Sequence, residues 1–371
     1  MVYLLMFGVT ALLGWLVQQR PFRYDKGLRF LLSILIVLIP SILGGMRSRY
    51  LGTDNIVYAR QFEQAVASSA RAIMEGFGGS NELMPRVLRL AISRLTRDYH
   101  WYFFAIELIT MGFAYAGMYH FRDKVPLWLS LTVYMFCFYC LRIHLVWQGV
   151  ATAIIFYAFR YVVEERPVKY FLLTVLAFLF HSSALLGLLI YLVYYCLSLP
   201  DKRNPLIRMD PARLILVMII AVIAVPAVAS VLIKLKVLPK VYSDYIPGIT
   251  RLDPEESITR LPLLLVATLL YRDVEQRDPL FRFLYVMLWA EFLTAQLGSG
   301  NSHAWRISLY FAYFNMLTIP YLLKVVRNDR TDKGIGYALV LLYLGVFWVF
   351  WFVLNNRGFK YPVYPFITDL L

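Results

Sequence analysis

Blocks of about twenty consecutive apolar residues recur from one end of this chain to the other, and they constrain its fold more than any other feature. A backbone N–H or C=O left unpaired in hydrocarbon is costly, so a segment that enters lipid must satisfy its own hydrogen bonds. The blocks lack the apolar–polar alternation of a transmembrane β-strand, which leaves the α-helix. Twelve blocks are read, at residues 1–18, 28–46, 101–120, 125–141, 144–162, 168–181, 182–199, 212–235, 260–271, 280–298, 304–325 and 334–354. The expected fold class is all-α: a polytopic integral membrane protein with about 12 transmembrane helices (11–13). Its outer loops carry short interfacial helices, and residues 1–371 form a single transmembrane domain. The apolar fraction of 60% exceeds the roughly 45–50% of a soluble globular chain, so a soluble domain is not expected. The opening MVYLLMFGVTALLGWLVQQR lacks a basic n-region and an A-x-A site, and reads as a first span rather than a signal peptide.

Charge orients the spans. The net charge is +14, which in an apolar chain points to anionic headgroups or phosphates rather than nucleic acid. Short cytoplasmic loops collect Lys and Arg. With the N-terminus outside and twelve spans, the inner segments are 19–29, 120–125, 160–169, 200–213, 272–282 and 324–333. They hold 20 of the 37 basic residues. The short outer turns hold two, Arg142 and Arg306. Only His181, Ser182 and Ser183 separate the sixth and seventh blocks, which form either two spans or one long tilted helix. Fusing them would invert everything that follows and move basic loops outside, 200–213 and 324–333 among them, so the break is preferred. The outer face then carries loops 47–100 and 236–260 and the tail 355–371. In PRVLRLAISRL (85–95), Arg86, Arg89 and Arg94 complete an amphipathic helix suited to lying in the interface. Cys137, Cys140 and Cys196 lie in apolar runs and read as small hydrophobes rather than redox or metal groups.

The residues that break the expected sidedness are the functional candidates, because charge in or beside a span costs about 2.5–3.5 kcal/mol on insertion scales. Arg47, Arg49, Asp54, Arg142, His144, His181, His303 and Arg306 all fall at outer span ends. In RSRYLGTDNIVY (47–58), Thr53 or Asp54 is placed to cap a helix, and Tyr58 follows four residues after Asp54 on one face. His144 and Gln148 are spaced to share a helix face beside Arg142. His303, Arg306, Tyr310 and Tyr313 form one stripe, which in lipid would be costly and is expected to face a cavity. The plainer readings are snorkelling arginines, a capping aspartate, a structural histidine and packing aromatics. Glu107 and Glu291 lie inside spans, each a possible base or a neutraliser of an arginine. No D-x-D motif on the outer face, no Walker loop, no GxGxxG and no H-E-x-x-H is present, so neither a metal nor a cofactor is expected.

R-S-R-Y-L-G-T-D-N-I-V-Y (47–58), the R-x-x-x-x-x-Q-G-x-A run (142–151), A-F-L-F-H-S-S-A-L (177–185) and R-I-S-L-Y-F (306–311) together resemble the Wzy-type, EpsG-like polysaccharide polymerases of bacterial inner membranes. The resemblance implies a glycosyltransferase that polymerises lipid-linked repeat units on the outer leaflet, without a metal. The donor is glycan on undecaprenyl pyrophosphate, the acceptor a hydroxyl of the incoming repeat unit, and the anomeric carbon is inverted. Arginine suits the role of pyrophosphate clamp, being permanently charged and fork-shaped. Arg142 and Arg306 are the expected clamps, aided by Arg47 or Arg49. Asp54 and His181 are the candidate bases, with His303 behind them. Tyr58 and Tyr310 are placed to contact sugars, and Lys240 and Tyr242 to guide anionic glycan. A chain-length regulator and a flippase are the partners that such a role suggests. The rival readings are an O-antigen-type ligase, a lipid-linked sugar flippase or transporter, and a membrane scaffold. The ligase would use the same arginines; a transporter more often shows repeated halves, and no internal repeat is seen here.

Overall fold

The computed structural model describes residues 1–76, 82–198, 209–235, 252–274, 279–299, 304–325, 330–354 and 362–370. Their regular structure is helical throughout, and each apolar block read from the sequence falls on helical structure. Among the described residues six stretches are long and apolar enough to cross a membrane: Lys26–Gly45, Tyr99–His120, Leu127–His144, Val146–Val163, Pro279–Ser299 and Gly334–Leu354. Four further apolar stretches are shorter, at Val2–Gln18, Pro167–Phe180, Ser182–Ser198 and Pro211–Ala224. The 14 residues of Pro167–Phe180 reach about 21 Å, against a hydrocarbon core of about 30 Å. Against the expected dozen spans, six helices among the described residues reach full crossing length.

The chain forms two compact units, Met1–Leu185 with Asn328–Leu371, and Leu186–Arg327. In the first, α1 (Val2–Gln18) and α2 (Lys26–Gly45) are followed by three helices within loop 47–100: α3 (Asn55–Ala67), α4 (Ala70–Met74) and α5 (Leu83–Ser93). Then come α6 (Tyr99–His120), α7 (Leu127–Val133), a π-helical turn (Tyr134–Tyr139), α8 (Cys140–His144), α9 (Val146–Val163) and α10 (Pro167–Phe180). Short polar caps start the long helices: Asp25 accepts from the Leu28 N–H at 3.0 Å, and Asp98 from the His100 N–H at 2.9 Å. The helix ends at Phe180, His181 takes an extended backbone, and a 3₁₀ turn (Ser182–Leu185) follows. The helix is therefore interrupted at this histidine.

Small residues set the spacing. A Cβ on Gly44 would fall 2.5 Å from Glu107 Cγ, and one on Gly45 2.7 Å from Phe104 Cβ, so α2 lies directly against α6. The enclosed pair is α7–α8 and α9: Leu127–His144 is 83% buried and Val146–Val163 78%, whereas α2 is 28% buried. Leu31 of α2, and Leu172 and Val175 of α10, are exposed as lipid-facing residues would be.

One face of this unit gathers the start of α1, loop 46–54 and tail 362–370. Tyr3 donates to Val363 O (2.8 Å), Ser48 N–H to Ile367 O (2.8 Å) and Gly52 N–H to Pro362 O (3.3 Å). Gln18 joins α1 to the opposite face, donating to Arg122 O and accepting from the Leu127 N–H. The start of α1 and the tail thus share this face.

The second unit is built of α11 (Leu186–Ser198), α12 (Pro211–Lys234), α13 (Pro254–Val274), α14 (Pro279–Ala295), α15 (Leu309–Ala312) and α16 (Asn315–Val325). Here α14 is the enclosed helix, packed by α11, α12, α13 and α16. The last helix, α17 (Arg330–Trp348), continues as a π-helical turn (Val349–Leu354) in the first unit. Its outward residues Leu339, Leu342 and Val346 are exposed.

Candidate functional site

Three segments far apart in sequence meet at one buried carboxylate. Glu107, on α6, receives Arg47 Nη1 on Oε1 at 2.5 Å and pairs through Oε2 with Arg142 Nη1. Arg47 follows the end of α2, and Arg142 sits on α8, directly after the π-helical turn. Such a turn re-aims side chains and is frequent at functional sites. Arg47 is fully buried, and Arg142 and Glu107 nearly so. A buried charge is tolerated when it is paired. Two guanidiniums on one carboxylate leave these three groups with a net positive charge of one. Aromatic rings hold the cations in place: Arg47 lies 4.2 Å from the Phe103 centroid, and Arg142 4.4 Å from that of Tyr139. Burial draws the Arg47 guanidinium down to about 10, against the raising influence of Tyr139 and Tyr3, so it remains a cation at neutral pH.

Arg47 also organises the loop that carries the other candidates. Its Nη1 donates to Gly44 O at 2.7 Å, taking up a carbonyl at the end of α2, and its Nη2 donates to Asn55 Oδ1 at 3.3 Å. Asn55 Nδ2 donates to Leu51 O, and to Ile143 O at 3.2 Å. Gly52 makes the turn at φ +87°, where a Cβ would also meet Ile143. The Thr53 N–H donates to His144 Nδ1 at 3.2 Å, which places the ring proton on Nε2. Loop 46–55 is thus sewn to the end of α8. Asp54 occupies the N-cap position of α3 but does not cap it through its side chain. Arg49 turns away from this cluster: it pairs with Glu63 at 2.6 Å, lies 4.6 Å from the Tyr99 centroid, and is raised by the Glu63 hydrogen bond. Tyr99 in turn donates to Asp369 of the tail at 2.5 Å.

The helix face expected to join His144 and Gln148 is absent. Leu145 (φ −109°, ψ 59°) ends α8 and starts α9, so the two side chains belong to different helices. Beside this break stands an aromatic wall. Tyr58 packs on Trp147 (5.8 Å between centroids), Trp147 on Tyr102 (6.1 Å) and Phe180 (6.3 Å), and Tyr102 stacks on Phe62 (5.1 Å). His181 follows Phe180, its Nδ1 2.6 Å from the Ser183 hydroxyl.

Two residues near this wall were not among the candidates read from the sequence. Arg89, read only as the polar face of an amphipathic helix, is buried with Pro85 and Ser93, while Leu83, Val87 and Leu95 point outward. Of the three arginines read as its polar side, Arg89 is turned into the protein, Arg86 is half-buried and Arg94 is exposed. Glu82, next to it, accepts from the Ser182 N–H at 3.2 Å; burial raises its carboxyl above the usual range, opposed by that hydrogen bond.

In the second unit Glu291 neutralises an arginine, Arg260 (Nε to Oε1, 3.1 Å), and accepts from Asn315 at 2.7 Å; Arg260 pairs also with Glu256. Arg306 lies on a 3₁₀ helix (Ala304–Ser308) and Tyr310 on α15, fully buried. The change from 3₁₀ to α between them interrupts the single stripe expected from spacing. His303, Lys240 and Tyr242 lie outside the described residues. The structure thus brings Arg47, Arg142 and His144 together, with Tyr58 and His181 around the adjoining wall, buries Gln148 in the first turn of α9, and puts Arg306 and Tyr310 in the second unit.

No curated protein and no solved structure matches this chain. The sequence model of the EpsG family matches residues 30–368, nearly the entire length, and the chain belongs to that family. With its apolar helices, membership makes it an integral membrane protein with a polysaccharide polymerase or glycosyltransferase-like role.

Proposed function

We propose that this member of the EpsG family polymerises lipid-linked oligosaccharide repeat units at the extracytoplasmic leaflet of a bacterial plasma membrane. The acceptor hydroxyl oxygen forms a bond to the anomeric carbon of the donor glycan. The bond from that carbon to undecaprenyl pyrophosphate breaks, its electron pair leaves with the pyrophosphate, and the carbon is inverted. The acceptor proton passes to a base of the protein.

The observation that carries this reading is the surplus positive charge of Arg47, Arg142 and Glu107 beside an aromatic wall. A departing pyrophosphate needs charge compensation rather than a proton, and fixed guanidiniums in an enclosed site supply it without reorganisation. Arg142, on α8 beside the break at Leu145, is the leading clamp; Arg47 acts chiefly by positioning loop 46–55. Arg306 is assigned as a second clamp by its place in the sequence. Tyr58 and Trp147 offer faces for sugar packing. Glu82, with its raised carboxyl, joins Asp54 and His181 as a candidate base.

The test is reconstitution. Purified protein is incubated with a lipid-pyrophosphate oligosaccharide in EDTA, without nucleotide, and the products are sized on a gel. A ladder of repeats is expected, lost in Arg142→Ala and in Arg306→Ala variants that insert normally. A single transfer to a lipid core would make the protein a ligase, and full activity in both variants would remove the clamp.

A further inference from the structure

The face of the first unit opposite loop 46–54 carries a groove of about 560 Å³ between the start of α2 and the ends of α6 and α9. Lys26, Arg29, Arg122 and Arg160 line it, with Tyr115, Tyr119 and Tyr157 between them. The cations are held by rings more than by acids. Arg122 lies 4.0 Å from the Tyr119 centroid, and Arg160 4.9 and 4.5 Å from those of Tyr157 and Tyr161. The nearest carboxylates are looser: Asp123 is 3.7 Å from Arg122, and Glu164 3.8 Å from Arg160, both beyond hydrogen-bond length. Arg160 Nε is buried and makes no hydrogen bond among the described residues. The ends of α6 and α9 present carbonyls that repel an anion. Arg122 covers one of these, donating to Tyr119 O at 2.8 Å.

The surroundings are those of a lipid headgroup. The 20 residues of α2 span about 30 Å, so its first turn reaches the membrane interface opposite the candidate site. Phe30 and Leu31, 68% and 51% exposed, lead from the groove along an apolar helix face on which an acyl chain can lie. A soluble phosphate would make no use of that face. Guanidiniums with occupied faces and open edges suit phosphate oxygens. We propose that this groove binds the phosphate headgroup of an anionic phospholipid, in the leaflet opposite the glycan-handling site.

The test is lipid retention by the full-length protein in neutral detergent, read by native mass spectrometry with phosphatidylglycerol against phosphatidylcholine. Lys26→Gln should weaken phosphatidylglycerol retention about five-fold, and Lys26→Gln with Arg160→Gln about thirty-fold, the worth of one and two cationic contacts. Lys26 is exposed at the first turn of α2, so the single variant tests the site without disturbing packing. Arg213→Gln, an exposed arginine of the second unit, should change nothing. Equal retention of both lipids by the native chain would overturn the proposal, as would an undiminished preference in the double variant. Inorganic phosphate is the competing arm: displacement of phosphatidylglycerol only by a large excess supports a lipid site. Tight phosphate binding without lipid preference would assign the groove to a soluble anion and refute the lipid.

Discussion

The two-to-one stoichiometry at Glu107 predicts an asymmetry between two substitutions. Arg142→Gln leaves Glu107 paired with Arg47 at 2.5 Å, so the buried acid keeps a partner and the cluster becomes neutral. The cost is that of one hydrogen bond to a charged group, about 1.5–3 kcal/mol. Glu107→Gln removes the single carboxylate that two buried guanidiniums share. Breaking a buried pair in this sense costs about 3–5 kcal/mol, and here two like charges are left side by side. Glu107→Gln should therefore be the more destabilising by about 2 kcal/mol. Glycosyl transfer should rank differently, since Arg142→Gln removes the surplus charge and abolishes the ladder while the fold survives. Reversible unfolding in mixed micelles gives the first quantity and the reconstituted assay the second. Equal destabilisation by the two variants would show that the carboxylate does not hold both arginines, and the electrostatic reading of the site would fail.

Other consequences follow from the same geometry. Gly44→Ala places a methyl within 2.5 Å of Glu107 Cγ, and overpacking there should cost about 1–3 kcal/mol in micellar unfolding and lower activity by shifting the carboxylate. If Glu82 is the base, activity should rise with pH along a limb above the ordinary glutamate range, because burial raises its carboxyl, and Glu82→Gln should erase that limb. The sign for stability is opposite: with the folded-state value above the unfolded one, ionised Glu82 costs stability, and the cost disappears as pH falls through the raised value. Truncation after residue 361 removes the partners of Tyr3, Ser48, Gly52 and Tyr99, so protease susceptibility of loop 46–54 should increase while membrane insertion is unchanged.

Arg47 and Arg142 were legible in the sequence because charge at an outer span end is costly there and needs a reason. Their meeting point was not, since residues 47, 107 and 142 are joined only by the packing of three helices, and Glu107 could be read only as a base or as a neutraliser without an address. The polar stripes failed where the backbone departs from the α-helix: Leu145 separates His144 from Gln148, and the 3₁₀ turn at Arg306 separates it from Tyr310. Spacing of three and four residues describes a side-chain face only while the helix continues. Arg89 was seen as part of an amphipathic helix, but its burial was not, because the spacing that groups it with Arg86 and Arg94 does not say which of the three the neighbouring helices cover. Glu82 carried no signal at all, lying in a polar loop outside every apolar block.

The enclosure of α7–α8 and α9 ties these features to function. A guanidinium on a lipid-facing helix such as α17 would be forced to snorkel to an interface and would hold no fixed position. On the enclosed pair it is fixed by packing, and the surrounding low dielectric makes its charge effective. The same dielectric makes an uncompensated charge prohibitive, which accounts for Glu107 and for the aromatic faces around both arginines. A site for a pyrophosphate leaving group needs positive charge that is both fixed and in excess. Two arginines sharing one acid meet both conditions: the acid limits the cost of burial, and the second cation is the surplus available to the anion that departs.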